Sequence, residues 1–388
     1  MGDVPAKPDV RGRSPLTVLA TAVTLRDFRN VERAEVRLGS RLTVIAGPNG
    51  AGKTNLLEGI YFAATARSPR TNIERELVRR GSSVARVTLA TEDGEGDHLI
   101  EVGLAPGHSK TVKLDGAPAE DLIASPVRPL VSVFLPDRLA LVKGAPSGRR
   151  GHLDDLVAAL WPGRRATRTA YSRALAQRNA LLARVRSGAA TRSSLASWDA
   201  ELAGEGVQLM ADRAEAAELL APRFAELARE LGLPGPAELS YRPRSPARDA
   251  GELAAELLER READLQRGFT AHGPHRDELR LAHDGQALRS YGSQGQQRVA
   301  LLALLFAERD VLAAERARPP LMLLDDVMSE LDSARRELLS ELLRAGGQGV
   351  VTTTDAEHVP GAGEDGVELL CMADGRLMPS SRAGKVAA

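Results

Sequence analysis

GPNGAGKT, residues 47–54, fits G-x-x-x-x-G-K-[ST], a loop built to hold phosphate. Gly47, Gly50 and Gly52 leave room for backbone N–H groups to curl around phosphate oxygens, with Pro48, Asn49 and Ala51 in the same loop. The helix expected next adds the positive end of its dipole. Lys53 would reach the β- and γ-phosphates and the Thr54 hydroxyl would ligate Mg²⁺, so the expected ligand is a nucleoside triphosphate with its metal.

A second group is PPLMLLDD, residues 319–326. Apolar residues ending in Asp325 describe a buried strand whose carboxylate emerges at its C-terminal edge, where ligands bind in open α/β sheets. Asp325 is expected to hold Mg²⁺ through water, and Asp326 to polarise the attacking water, which makes Lys53, Asp325 and Asp326 the catalytic set. The same two acids could instead cap the helix that follows. RSYGSQGQQR, residues 289–298, precedes an apolar helix and offers the Ser293 hydroxyl, the Gly295 N–H and the Gln296 amide as a second anion cradle, 240 residues beyond Lys53. One nucleotide does not need two cradles from one subunit. The economical reading is that this loop serves the γ-phosphate of a partner subunit, closing a two-fold sandwich; an ordinary capped turn is the alternative.

Those groups need a sheet and helices to hold them. Alternation over 16–28 and 34–46 reads as strand, with 42–47 a buried strand entering the glycine loop, and 55–67 as helix. Further strands are expected at 86–90, 98–104, 111–114, 129–135, 237–243, 279–283, 321–324 and 349–353, and a helix at 294–316. Between them, 149–161, 163–187 and 193–231 carry apolar residues three and four apart. With the turn at 188–192, the two longer segments predict a short antiparallel helical hairpin, and Pro222 should kink or break the last. The division that follows is a loose tail 1–15, a nucleotide-binding part 16–146, a helical lobe 147–232, a second nucleotide-binding part 233–378 and a loose tail 379–388.

The 388 residues, 43% hydrophobic, exclude wholesale disorder. A lone cysteine, Cys371, excludes a disulfide framework and suits a reducing cytoplasm; no apolar run is long enough to span a bilayer, and the first residues lack a secretory h-region. The balance of 52 basic and 52 acidic residues argues at first against a nucleic-acid partner, yet it hides a local bias. Residues 128–192 hold 13 basic and 3 acidic side chains, and 199–264 hold 8 basic and 15 acidic. Either two solvated faces neutralise each other or a basic stripe faces nucleic acid. In the second case Arg149, Arg150, Arg164, Arg165 and Arg168 are the candidate phosphate contacts. His272 and His275 lack a third ligand at metal-binding spacing, and Trp161, Trp198, Tyr171 and Phe224 are expected to pack the helical lobe. Arg70, just after the phosphate-loop helix, would touch the nucleotide or remain solvated.

Taken together, the phosphate loop, the late S-x-G-Q loop, the strand ending Asp-Asp, SELD at 329–332 and VVTTTD at 350–355 resemble an ABC-type ATPase of the SMC and RecF group. FLPDRLALVKGAPSGRRGHLD (134–154) and TAHGPHRDEL (270–279) are similar to stretches of the RecF family, and the likeness runs from about 16 to 378. It implies a P-loop ABC-type ATPase head with a mixed α/β sheet, interrupted by the mainly helical lobe. It also implies a bacterial recombination and repair ATPase that binds ATP and Mg²⁺, dimerises with ATP between subunits, and binds gapped, single-stranded and duplex DNA. Slow hydrolysis, work with RecO and RecR to load RecA, and support of replication and the SOS response follow from the same likeness. Asp332 would take the D-loop place, and Thr354 falls where transporter-type relatives have a switch histidine. This chain departs from the pattern at Asp326, where a glutamate is common, at Gln294, and around Leu135 and Pro136, where no glutamine stands. An SMC-type tether would need long heptad arms that are absent; a non-catalytic scaffold gated by ATP differs only in turnover.

Overall fold

A computed structural model describes residues 17–364 and 366–379. The tails expected to be loose lie outside them, save for position 379, where the last strand ends. The chain forms two compact units, one made of residues up to Leu135 and from Leu312 onward, the other of Pro136–Val311. The first unit opens with β1 (Leu19–Phe28), β2 (Val31–Arg37), β3 (Leu42–Ala46) and α1 (Lys53–Thr65), then β4 (Ala85–Glu92), β5 (Asp97–Leu104), β6 (Thr111–Leu114), β7 (Ala117–Pro118) and β8 (Val131–Phe134). The second contains α2 (Ala140–Lys143), α3 (Pro146–Leu160), α4 (Arg165–Arg186), α5 (Leu195–Glu230), β9 (Ala237–Arg242), α6 (Ala250–Glu259) and α7 (Arg261–Arg267). It continues with β10 (Glu278–His283), β11 (Gln286–Ala287), α8 (Leu288–Tyr291) and α9 (Gln294–Arg316), whose last turn passes the boundary. β12 (Leu321–Asp325), α10 (Ser333–Ala345), β13 (Gly349–Thr353), β14 (Val367–Ala373) and β15 (Arg376–Pro379) complete the first unit.

Two six-stranded sheets build that first unit. One is antiparallel, in the order β2-β1-β4-β5-β6-β7; the other runs β15-β14-β3-β13-β12-β8, parallel except for β15. β3, β12 and β13 are buried along their whole length, which is why they read as mainly apolar runs rather than as alternation. α1 joins the two sheets. Its Leu56, Leu57, Ile60 and Phe62 share one core cluster with Leu25, Val87 and Leu89 of the antiparallel sheet and Val133, Leu323 and Val350 of the parallel one. A helix apolar on more than one face is what such a position requires. β14 and β15 form a hairpin absent from the expected strands, although Asp374-Gly375 between apolar residues signals one. Both residues take positive φ, 47° and 72°, as a two-residue primed turn demands.

In the second unit α4 and α5 lie antiparallel. Arg164, at the start of α4, meets Asp212 and Glu215 on α5 (3.3 and 2.5 Å), while Arg178, further along α4, meets Asp199 near the start of α5 (2.6 Å). Pro222 neither ends nor splits α5, contrary to a break there. Proline removes one backbone donor, but Leu220, Phe224 and Leu227 on either side are buried, and packing holds the helix through the gap. Tyr171 is buried with Leu202, Leu209 and Leu253, and Trp198 packs against the same cluster.

The opposed charges of the two segments meet inside this unit. Arg178 also bonds Asp264 at 2.8 Å, Arg192 bonds Glu262 at 2.6 Å, and Arg213 holds Asp154 through two bonds of 2.6 and 3.0 Å. Arg149 is corrected as a DNA contact: it is buried, clamps Glu278 at 2.7 and 2.8 Å, and donates to the carbonyls of Leu141, Val142 and Gly144. Arg150 donates to the Asp277 carbonyl, Arg164 also stacks on Trp161, and Arg168 pairs with Asp154 and Asp155. Among the described residues no helix is long and apolar enough to cross a membrane.

Arg178 is fully buried, so Arg178→Met should leave Asp264 without a countercharge in the interior, while Asp199 keeps Arg261. Removing one partner of a buried pair costs about 3–5 kcal/mol, and the urea midpoint should fall accordingly. A midpoint equal to that of the unsubstituted chain would contradict the network.

Candidate functional site

The parallel sheet brings three sequence-distant groups to one edge. β3 ends at Ala46 and enters the phosphate loop, β12 ends at Asp325, and β13, which lies between them, ends at Thr353. In the strand register Thr352 stands beside Asp325 on one side and Ile45 on the other. Gly47 N–H donates to the Thr353 carbonyl at 3.1 Å, so the loop leaves the sheet pinned to β13. Glycine is required at 47 because a Cβ there would stand 2.1 Å from the Met372 carbonyl oxygen. Gly52 caps α1 with φ of 105°, a left-handed conformation that a side chain resists.

At the centre lies the Asp325 carboxylate, buried to 7% exposure. The Thr54 hydroxyl donates to one of its oxygens at 2.7 Å and the Thr352 hydroxyl to the other at 2.6 Å. Asp326 follows with φ of 48°, its N–H shared between the carbonyl and hydroxyl of Thr352 at 3.1 Å each. Left-handed backbone is tolerated by aspartate better than by longer acids, which gives a local reason for Asp at this place. Neither acid caps a helix. That task falls to Asp332, which accepts from Arg335 N–H at 2.9 Å at the start of α10, so the capping alternative for the Asp pair is set aside. Thr354 is exposed just past β13.

Lys53 is 6% exposed, and its ammonium donates to the carbonyls of Gly47 (2.6 Å) and Pro48 (3.0 Å) across the mouth of the loop. Burial pulls its pKa below the usual lysine value, while the charges of Asp326 and Asp325 act the other way. One oxygen of Asp326, Oδ1, is buried without a hydrogen-bond partner, and an unpaired buried acceptor is costly unless something donates to it or binds it. Together with the Thr54 hydroxyl and Asp325, it makes a set of hard oxygen donors suited to a divalent cation such as Mg²⁺ and a polarised water.

Two supporting residues are not singled out by spacing, although Thr352 lies within VVTTTD. Thr352 belongs to an apolar strand, where nothing in the spacing announces that it will face Asp325. Asn30 lies between β1 and β2 and accepts from Asn55 at 2.7 Å beside Gly50 and Gly52. Arg70 is turned to the protein rather than to a ligand: it bonds Asn55 and Glu58, and Glu58 is fully buried on α1 with Arg29 and Ser68 also upon it. The expected γ-phosphate loop belongs to the second unit. Ser293 and Gln296 cap each other there: Ser293 N–H donates to the Gln296 side chain at 2.8 Å, and Gln296 N–H to the Ser293 hydroxyl at 3.2 Å. Gln297 pins the loop from below through the carbonyls of Leu288 and Gly292, and Ser293, Gln294 and Gly295 remain exposed.

The family described as RecF/RecN/SMC N terminal domain matches residues 20–375. The chain is 41% identical over 355 residues to the DNA replication and repair protein RecF of Anaeromyxobacter sp. (strain Fw109-5), covering 89% of this chain and 95% of that one. To RecF of Streptomyces avermitilis it is 38% identical over 362 residues, covering 88% and 95%. The structure of the recombination mediator protein RecF-ATP in the RecFOR pathway superposes with a TM-score of 0.83 at 26% identity, over 95% of this chain and 99% of that one. An Smc head domain from Pyrococcus furiosus superposes at 0.56 with 17% identity, over 95% and 98%, a likeness of fold. The fold is that of an ABC-type ATPase head.

Thr352→Val keeps the shape of β13 and removes both hydroxyl bonds. Leaving a buried acceptor unpaired costs about 1–3 kcal/mol, so thermal stability should fall while the fold persists. Nucleotide affinity measured with Mg²⁺ should weaken more than affinity measured without it; equal loss in the two titrations would detach Thr352 from Asp325.

Proposed function

Because the chain belongs to the RecF family, we propose that it is an ATP-binding recombination and repair ATPase that closes as a dimer on DNA. The observation that carries this reading is the junction of Thr54, Asp325 and Thr352 beside the phosphate loop. The loop N–H groups and the start of α1 take the phosphate oxygens, and Lys53 exchanges its two carbonyl partners for the β- and γ-phosphates. Thr54 and Asp325 are the residues that would hold Mg²⁺, which supplies charge neutralisation on the phosphate oxygens. Asp326 aligns the attacking water and receives its proton as the oxygen joins the γ-phosphorus and the bond to the bridging oxygen breaks. Its short side chain suits slow turnover stimulated by DNA.

The second half of the proposal concerns the partner subunit. Ser293, Gly295 and Gln296 stand at the N-terminus of the 23-residue α9, and the exposure of Ser293 and Gly295 supports a role on a nucleotide bound by another copy. Asp332 would lie along the same seam. In the cell the protein would act in the cytoplasm with RecO and RecR at single-strand gaps, aiding the loading of RecA and, through it, replication and the SOS response.

Sedimentation with and without ATP and gapped DNA tests both halves. Lys53→Ala should abolish ATP-dependent dimerisation. Ser293→Arg should keep ATP binding by the monomer yet block the dimer, and loss of ATP binding itself would contradict a role in trans. Asp326→Asn, a residue that also tolerates left-handed backbone, should trap the ATP dimer and lower phosphate release by about a hundredfold or more. Normal release would remove Asp326 from catalysis, and no DNA-stimulated release from the unsubstituted protein would favour the ATP-gated scaffold.

A further inference from the structure

The segment HGPHRD is not used by the nucleotide site, yet the second unit devotes most of its buried polar chemistry to holding it. Thr270 donates through both its N–H and its hydroxyl to Asn179 (2.8 and 2.7 Å) and accepts from Arg178 at 2.6 Å. Ala271 N–H donates to Asp264, and His272 meets Glu256 at 2.5 Å. His275 donates from Nε2 to the Thr270 carbonyl at 3.0 Å, which leaves Nδ1 to accept from the Tyr171 hydroxyl at 2.7 Å. Burial pushes its pKa down to about 4, so it is neutral there and serves as a strut rather than a metal ligand. Asp277, fully buried, accepts from Arg244 N–H at 2.6 Å and from the Tyr241 hydroxyl.

Outward of this scaffold is an open depression of about 390 Å³ lined by Arg244, Arg267, Phe269, Ala271 and Arg276. The Phe269 ring is 42% exposed, and the Arg276 guanidinium lies 5.6 Å from its centroid. Several arginines of this unit are paired: Arg149, Arg164, Arg178, Arg192 and Arg213 each have a carboxylate. Among the described residues, no ion pair involves Arg244, Arg267 or Arg276, so three uncompensated positive charges gather at this depression. An apolar ring held out to solvent beside three free guanidinium forks suits a ligand that offers both a flat π-face and phosphates.

We propose that this depression is a stacking platform for single-stranded DNA, with an unpaired base on Phe269 and the adjoining phosphates on Arg244, Arg267 and Arg276. The assignment rests on the DNA-binding reading above and adds to it a surface and a preference. A base inside a duplex has both faces covered by its neighbours, so only an unstacked base can use the ring. Because the buried network fixes the loop before binding, little ordering is needed when the strand arrives.

The test is fluorescence anisotropy of labelled oligo-dT, and of a duplex of equal length, with the full chain. Phe269→Ala should weaken oligo-dT roughly tenfold and leave the duplex almost unchanged, with Phe269→Tyr restoring most of the loss. The double change Arg244→Glu and Arg267→Glu should weaken oligo-dT more than tenfold. It should also flatten the salt dependence by about 0.7 in log–log slope for each phosphate no longer neutralised. All these side chains are exposed, so thermal transitions should match the unsubstituted protein and report a folded chain. If the unsubstituted protein binds oligo-dT and every variant binds it equally, the platform is overturned while DNA binding stands. Should the unsubstituted protein bind neither strand, both readings fall. If the double change weakens poly-glutamate as much as oligo-dT and Phe269→Ala does nothing, the surface serves an acidic protein and the proposal is wrong.

Discussion

One carboxylate sets the arrangement of the nucleotide-binding unit. Asp325 ends a strand that is not the neighbour of the strand feeding the phosphate loop; β13 lies between them. Two strand spacings of about 4.8 Å put the backbones of β3 and β12 roughly 10 Å apart, too far for direct bonding. Side chains must cross the gap over the end of β13, and they do so through Thr54 from the loop side and Thr352 from the middle strand. Both oxygens of a buried acid are thus satisfied by hydroxyl groups whose positions depend on the whole parallel sheet. Asp326, one residue later, takes left-handed backbone with its N–H held by Thr352, and one of its oxygens is unpartnered.

The helical unit uses charge differently. Ion pairs withdrawn from water gain little net stability over apolar packing, but half of such a pair left alone is severely penalised. Arg178, Arg213, Asp264 and Asp277 are all inside, so the segments they tie together have few alternatives. The consequence for the surface is indirect. Arginines consumed by internal acids cannot attract nucleic acid, whereas three without an ion pair, Arg244, Arg267 and Arg276, gather at the rim of one depression. Local counts of basic and acidic residues therefore mislead: Arg149, Arg164, Arg168, Arg178 and Arg192 of the most basic stretch are paired with acids of their own fold, and exposed charge comes partly from the acidic stretch, at Arg244.

The S-x-G-Q loop looks ordinary in isolation. Ser293 and Gln296 satisfy each other in a reciprocal cap, as at many helix starts. Its interest lies in being exposed at the head of a long buried helix, with the loop pinned from behind by Gln297. A rigid, exposed helix start is available to a ligand carried by another molecule in a way that a flexible turn is not.

Much of this was legible in the sequence. The phosphate loop, the Asp-ended strand and the S-x-G-Q loop are local patterns, each set by backbone room, apolar run length or helix start, so they can be read without neighbours. Most strands and the three long helices follow from periodicity in the same way. What spacing does not carry is pairing between distant residues. Thr352 facing Asp325, Glu58 gathering Arg29 and Arg70, and Arg149 turned inward to Glu278 all depend on which elements come to lie together. Pro222 marks the limit from the other side: the local rule allows a kink or a break, and with buried neighbours on both sides the helix runs through unbroken. The sequence alone determined which chemistry the chain holds and roughly where. Tertiary structure decided which charges remain free to use it, because burial and partnership are properties of the packed molecule.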